Sequence, residues 1–427
     1  MLQLDISSAM GKAITPSNGI PEQEFAGILT SLRRYLEDFG KEREAGGHEW
    51  TQDPLNTDTI EKVKEIAAHA KKSGVKQIVW IGIGGSGLGP KVMREVFETP
   101  HTPEFILLDT IDPSMLKMYD GLVDWKHAML VVVSKSGGTL EPMSVFFHCW
   151  KRMQEAHGPK AGEMTVGVTD PKEGTLRTFC LENGIRMVPI PSGVGGRYSI
   201  FTPVGLLPIA LLGGDVDQFV KGAIDLDESC SNIIPDENPA AMLAAAQFLL
   251  DTKRDCSVRV IMPYSQRLES VARWNQQLIA ESLGKVETAN PIPLAAIGTQ
   301  DQHSLLQQWM SGPRSQWHIF IREIEKEEFA VPLEVEDSFG YIAGKDYGDL
   351  LDACYEGTSS ALTQAKRPHA TIGLQKLDAY HLGQLFYLFL VEVILLGKLY
   401  RIDPYGQPAV EIGKKITKKI LSGESGQ

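Results

Sequence analysis

Hydrophobic and polar positions alternate along the chain in two rhythms. Residues 57–73 put Ile60, Val63, Ile66 and Ala70 on one face of a 3.6-residue period and stop at Gly74, which predicts an amphipathic helix. The short run VKQIVWI then reads as a buried strand that empties into glycines. EFILLD, AMLVVVS, MTVGVTD and RMVPI follow as strands, with helical stretches between them. Strands that are apolar on both faces belong to parallel sheets covered on both sides.

A second cycle begins near residue 238. NPAAMLAAAQFLLDTKR predicts a helix, CSVRVIMPY a strand, and RLESVARWNQQLIAESLG a helix ending at Gly284. PLAAIG, QWHIFIREI and HATIGLQK are further strands, and two helices, near 378–397 and 407–421, close the chain. The expected fold is α/β, with two three-layer α/β/α units of mainly parallel sheet plus N- and C-terminal helical arms. The expected boundaries are 1–45 for the N-terminal arm, 46–225 and 226–395 for the two domains, and 396–427 for the C-terminal segment.

Composition narrows the function. At 427 residues, the chain is too long for one core and suits two. Apolar residues make up 43% and charged residues 22%, an ordinary globular balance. The net charge of −12 argues against general affinity for nucleic acid or anionic membrane. An anionic substrate would therefore need its own local cluster of amides, hydroxyls and cations. Five cysteines, at 149, 180, 230, 256 and 354, are too scattered for a disulfide framework or zinc site and point to a reducing compartment. The N-terminus lacks a secretory signal pattern, and no uncharged apolar run is long enough to span a bilayer; the greasiest stretch is TPVGLLPIALLGG. A cytoplasmic protein is expected.

The candidate chemistry sits at strand ends. Gly82-Ile83-Gly84-Gly85-Ser86-Gly87-Leu88-Gly89-Pro90 follows one strand and opens a helix, where glycines admit a ligand and helix amides face an anion. Alone it also fits a dinucleotide fingerprint, with Asp109 ending the next strand, or a structural turn. A second loop, Ser134-Lys135-Ser136-Gly137-Gly138-Thr139, groups three hydroxyls, an ammonium and helix-start amides into a phosphate cradle. A plain N-cap would need one hydroxyl, and a dinucleotide domain has no use for the second cradle. Gly195-Gly196-Arg197-Tyr198-Ser199 offers a guanidinium able to hold a developing oxyanion.

Gln277 and Glu281 share a face near a helix end, where a carboxylate sits against the helix dipole, a setting that suits a proton acceptor; an exposed carboxylate is the bland alternative. His303 lies in Gly298-Thr299-Gln300-Asp301-Gln302-His303, between an apolar strand and a helix, and alone is ambiguous. Gln407 and Lys414 lie two turns apart in the closing run, whose lysines would otherwise pass for a solvated basic end. His48-Glu49 begins like a zinc motif, but Gln52 fills the second histidine position, so no metal site is expected.

In order, IGIGGSGLGP, VVVSKSGGTLEP, VGGRYSIFTPVGLLP, QQLIAESLGK, GTQDQHSLLQQW and YGQPAVEIGKK resemble the glucose-6-phosphate isomerase family from about residue 50 to the C-terminus. The resemblance implies two sugar-isomerase domains, a sugar phosphate substrate, no metal or organic cofactor, and a homodimer. It implies phosphate binding by Ser86, Ser134, Lys135, Ser136 and Thr139, with Gly85 and Gly196 beside them. Arg197 would steady an enediolate, Glu281 would move the proton between C2 and C1, and Gln277 and Gln407 would line the substrate. His303, reaching across the dimer interface, and Lys414 would open the sugar ring.

The chain departs from the family in places. Gly406 stands where Asp or Asn is common, Pro408 replaces a bulkier residue, and Gly137-Gly138 loosens the second loop. A non-catalytic sugar-phosphate sensor on the same domain, a nicotinamide-dependent dehydrogenase, and an isomerase of another phosphosugar such as mannose 6-phosphate are the alternatives. The sensor would have no reason to keep Glu281, His303 and Lys414 together.

Overall fold

The computed structural model describes residues 1–288 and 290–423; Ala289 of the expected second domain and residues 424–427 of the expected C-terminal segment lie outside the described residues. The strands are β1 (Gln3–Asp5), β2 (Gln77–Ile81), β3 (Glu104–Leu108), β4 (Ala128–Val133), β5 (Thr165–Thr169), β6 (Arg186–Pro189), β7 (Val258–Tyr264), β8 (Ile292–Ala295), β9 (Gln316–Glu323) and β10 (His369–Leu374). They form two five-stranded sheets, ordered β3-β2-β4-β5-β6 and β1-β10-β9-β7-β8. All pairings are parallel except β1 with β10. Every strand read from apolar runs is present. β1 is the addition: three residues carry no periodicity to read, and pairing with β10 alone makes them a strand.

Both faces of each sheet are buried, as the apolar runs require. In the first sheet Ile78, Trp80, Met129 and Val131 face one way, and Val79, Ile81, Leu130 and Val132 the other. The second set packs on Phe146, Trp150 and Leu176 of its own outer layer. In the second sheet Val260, Met262 and Phe320 meet Trp309, Tyr355 and Leu362 on the outer side. The inner faces of both sheets belong to one continuous core, which runs through the helices between them. That shared layer fixes the two sheets relative to each other, which matters because the candidate residues come from both halves of the chain.

The helix Ala379–Tyr400 forms the middle of this layer, buried on nearly every side from Ala379 to Gly397. Among the described residues it alone is long and apolar enough to cross a bilayer, a length the sequence reading did not assign to any run. Its buried Glu392 accepts from Arg259 of β7 at 2.6 and 2.8 Å, with both side chains fully enclosed. A paired, hydrogen-bonded charge is the form in which such a residue survives in a core.

Candidate functional site

β2 sends the chain to β3 on one side, and the chain returns to β4 on the other. Loops leaving the ends of β2 and β4 therefore diverge and open a crevice, the usual place for a ligand in a parallel sheet. A cleft of about 1140 Å³ lies here, lined by Gly85, Ser86, Ser134, Lys135, Ser136, Thr139, Gly196, Arg197, Gln277, Glu281, Gln407 and Lys414 among others. Twelve of the thirteen candidate residues thus share one cleft; His303 does not line it.

The helix Gly85–Phe97 begins at the first glycine loop. A Cβ added to Gly85 would lie 2.4 Å from the Gly196 carbonyl, so these two loops pack backbone against backbone. The second loop ends at Thr139, the N-cap of the helix Leu140–His157, whose side chain makes no capping hydrogen bond. Its hydroxyl lies 3.5 Å from that of Ser136, and the Gly138 amide donates to Ser136 at a long 3.4 Å. The Ser134 hydroxyl is buried without a partner among the described residues. Unpaired hydroxyls beside an uncapped helix N-terminus make this end of the cleft suited to an oxyanion.

Lys135 lines the same cleft and is also tied to the neighbouring loop. Its ammonium donates to the carbonyls of Ser192 at 2.6 Å and Val194 at 2.8 Å, tying the loop after β4 to the loop that carries Arg197. Burial lowers its pKa from the ordinary lysine value, against the pull of Asp170 and Glu49.

Around Arg197 the cleft is closely knit. Arg197 lies in the short helical turn Gly196–Phe201 after β6 and is 3% exposed. Its Nε donates to Ser282 at 2.7 Å, and Nη1 to Gln407 at 3.0 Å and to Glu281 at 3.2 Å. Nη2 donates to the carbonyls of Pro404 at 2.6 Å and Gly406 at 3.0 Å. Glu281 stands in the last turn of the helix Glu269–Leu283, its second oxygen accepting from Gln277 at 2.9 Å. The i, i+4 spacing of Gln277 and Glu281 thus orients the carboxylate, whose side chain stays 30% exposed toward the cleft. A carboxylate steadied on both oxygens beside a fixed guanidinium can pass a proton next to an oxygen that gains charge.

Sequence reasoning missed several residues here. Ser282 holds both Arg197 and, at 3.1 Å, the Tyr198 hydroxyl. Lys285 donates to the carbonyls of Asp403 at 2.6 Å and Tyr405 at 2.5 Å, and burial lowers its pKa. Backbone acceptors leave no mark in the identity of the residues that bear them, so the Lys285 bonds had no signal to find, and the partners of Ser282 lie 84 and 85 residues away in the sequence. Gly406, where the family commonly has Asp or Asn, has φ +69°, a region that glycine enters freely and that Asn and Asp tolerate best of the others.

Lys414 lies on the helix Val410–Leu421, which buries none of its side chains, and pairs with Glu411 at 2.7 Å. His303 ends the short turn Gln300–His303 after β8, exposed. It is the one candidate the fold leaves away from the others.

Comparison with known proteins gives a consistent picture. A family model described as "Phosphoglucose isomerase" matches residues 57–426. A glucose-6-phosphate isomerase of Rubrobacter xylanophilus is 36% identical over 381 residues, covering 85% of this chain and 87% of that protein. One from Thermus thermophilus is 33% identical over 415 residues, covering 95% and 98%. Among solved structures, a hypothetical protein of Thermus thermophilus superposes with a TM-score of 0.88 at 32% identity, covering 99% and 100%. A glucose-6-phosphate isomerase of Chlamydia trachomatis shares the fold, with a TM-score of 0.76 at 22% identity and coverage of 87% and 74%.

Proposed function

The chain belongs to the phosphoglucose isomerase family, and on that basis we propose how its cleft interconverts glucose 6-phosphate and fructose 6-phosphate. The substrate phosphate is gripped by Ser86, Ser134, Ser136, Thr139 and the amides that open the helix Leu140–His157. That grip fixes the sugar chain so that C1 and C2 reach Glu281. In the aldose-to-ketose direction Glu281 removes the C2 proton, leaving a cis-enediolate with charge on O1. Arg197 stabilises that charge, and the Glu281 carboxylic acid returns the proton to C1 while the O2 proton passes to O1, so that O1 becomes a hydroxyl and O2 the ketone oxygen. Gln277 and Gln407 hold the two catalytic groups and face the sugar hydroxyls.

The observation that carries this reading is the 3.2 Å contact between Arg197 and Glu281, both facing one cleft. It joins a carboxylate base to a neighbouring electrophile, the division of labour that triosephosphate isomerase also uses. The protein works as a homodimer in the cytoplasm, in glycolysis and gluconeogenesis, with the partner subunit's His303 and this subunit's Lys414 opening the ring. The exposure of His303 away from its own cleft supports that arrangement.

The test is a coupled assay with fructose 6-phosphate that detects glucose 6-phosphate, with and without chelator. Turnover unaffected by chelator is expected; binding of the sugar phosphate without turnover would favour a sensor instead. Mixing Glu281→Gln with His303→Ala subunits tests the shared site. Each variant alone is inactive, but a mixed dimer has one site with an intact Glu281 and an intact partner histidine. Recovery of activity on mixing is expected, and its absence would place the histidine in its own subunit's site.

A further inference from the structure

Two cations grip the backbone that precedes Gln407. The carbonyls of residues 403 to 406 are taken alternately: Asp403 and Tyr405 by Lys285, Pro404 and Gly406 by Arg197. The Tyr198 hydroxyl adds a third donor, to the Pro404 carbonyl at 3.0 Å. Below this, the Tyr405 hydroxyl meets His48 at 2.5 Å and Trp50 at 3.0 Å, so the loop is pinned by its side chain as well. Without such donors four carbonyls in a row would have to be met by water.

Lys285 lies directly after the helix that carries Glu281 and is not among the cleft-lining side chains. The loop it holds carries Gln407, bonded to Arg197, and leads into the helix that bears Lys414. Of the two cations, Arg197 lines the cleft and touches Glu281, while the two bonds of Lys285 go to backbone carbonyls. We propose that Lys285 is a positioning residue: it ties the loop 403–407 to the Glu281 helix and so fixes Gln407 against Arg197 and sets where the Lys414 helix begins. The assignment rests on the isomerase reading for its kinetic consequence, but not for its structural one.

The experiment compares the full-length wild type with Lys285→Met and Lys285→Arg, using fructose 6-phosphate turnover and inorganic phosphate as competitive inhibitor. A loop displaced by about an ångström is expected to cost Lys285→Met roughly tenfold to a hundredfold in kcat. The phosphate inhibition constant should stay within about twofold, because the proposed phosphate ligands Ser136 and Thr139 share no hydrogen-bond partner with Lys285. Arginine at 285 can donate to the same carbonyls and should restore most of kcat. Hydrogen exchange at residues 402–409 should quicken in the methionine variant and return with arginine. Because exchange reads the loop without reference to turnover, failure of the isomerase reading and failure of the lysine's role are told apart.

Unchanged kcat in Lys285→Met would overturn the proposal, as would a weakened phosphate constant, which would make the lysine a substrate contact. If Lys285→Met does not fold, Asp403→Ala serves instead. It removes the 3.0 Å bond from the Tyr405 amide to the Asp403 side chain and loosens the same loop. The same loss of kcat with phosphate affinity kept is expected, and unchanged kcat there would equally overturn the assignment.

Discussion

At the Arg197 end of the cleft all three guanidinium nitrogens have partners inside the chain, whereas at the 134–139 end the hydroxyls either face one another at 3.5 Å or, at Ser134, meet none among the described residues. On the proposed function, the first region is assembled before substrate arrives and the second is completed by it. The contrast follows from what each end must do. A group that stabilises charge developing in a transition state acts best when already fixed, since it then costs no reorganisation at the moment of reaction. A phosphate brings its own strong acceptors, so donors aimed at it gain most if nothing else in the chain satisfies them.

The largest effect should come from Glu281→Gln, which removes the proposed base but keeps the size and shape of the side chain. Turnover should fall by about a thousandfold or more, with the inorganic phosphate inhibition constant nearly unchanged; turnover within tenfold of wild type would remove Glu281 from the role of base. Arg197→Lys comes next. An ammonium cannot reach Ser282, Gln407, Glu281 and two carbonyls at once, so kcat should drop by roughly a hundredfold. Equal loss in a phosphate-binding assay would show that the two ends are not separate.

At the other end, Ser134→Ala should raise KM by about tenfold, the lower range for a hydrogen bond to a charged group, and leave kcat close to wild type. A fall in kcat without a change in KM would contradict the contrast. The smallest effect should be on stability. Replacing an N-cap threonine usually costs about 1 kcal/mol, but Thr139 makes no capping bond, so Thr139→Ala should shift Tm by less than about 2 °C. A larger shift would show that its hydroxyl serves the helix after all.

The sequence was legible where side-chain identity carries the information. Apolar runs marked β2 to β10 because parallel strands bury both faces, and the order of glycine, hydroxyl and arginine loops marked the cleft. It was silent where backbone or distance decides. β1 exists only through β10, and the layer shared by the two sheets involves contacts between segments hundreds of residues apart. Lys135 read as a phosphate ligand because an ammonium beside three hydroxyls looks like one, but nothing in the sequence marked the two bonds it also makes to the Ser192 and Val194 carbonyls. Lys285 and Ser282 went unassigned for the same reason, since their partners are backbone oxygens or an arginine from another element.

The most direct test of the contrast is hydrogen exchange of the wild type with and without saturating inorganic phosphate, read at residues 134–141 and at 403–409. Phosphate should slow exchange across the first segment, where its ligands are unpaired, and leave the second unchanged, because that segment is already held by Arg197 and Lys285. Comparable slowing at 403–409 would contradict the account, since it would mean that the catalytic end is also assembled by the ligand.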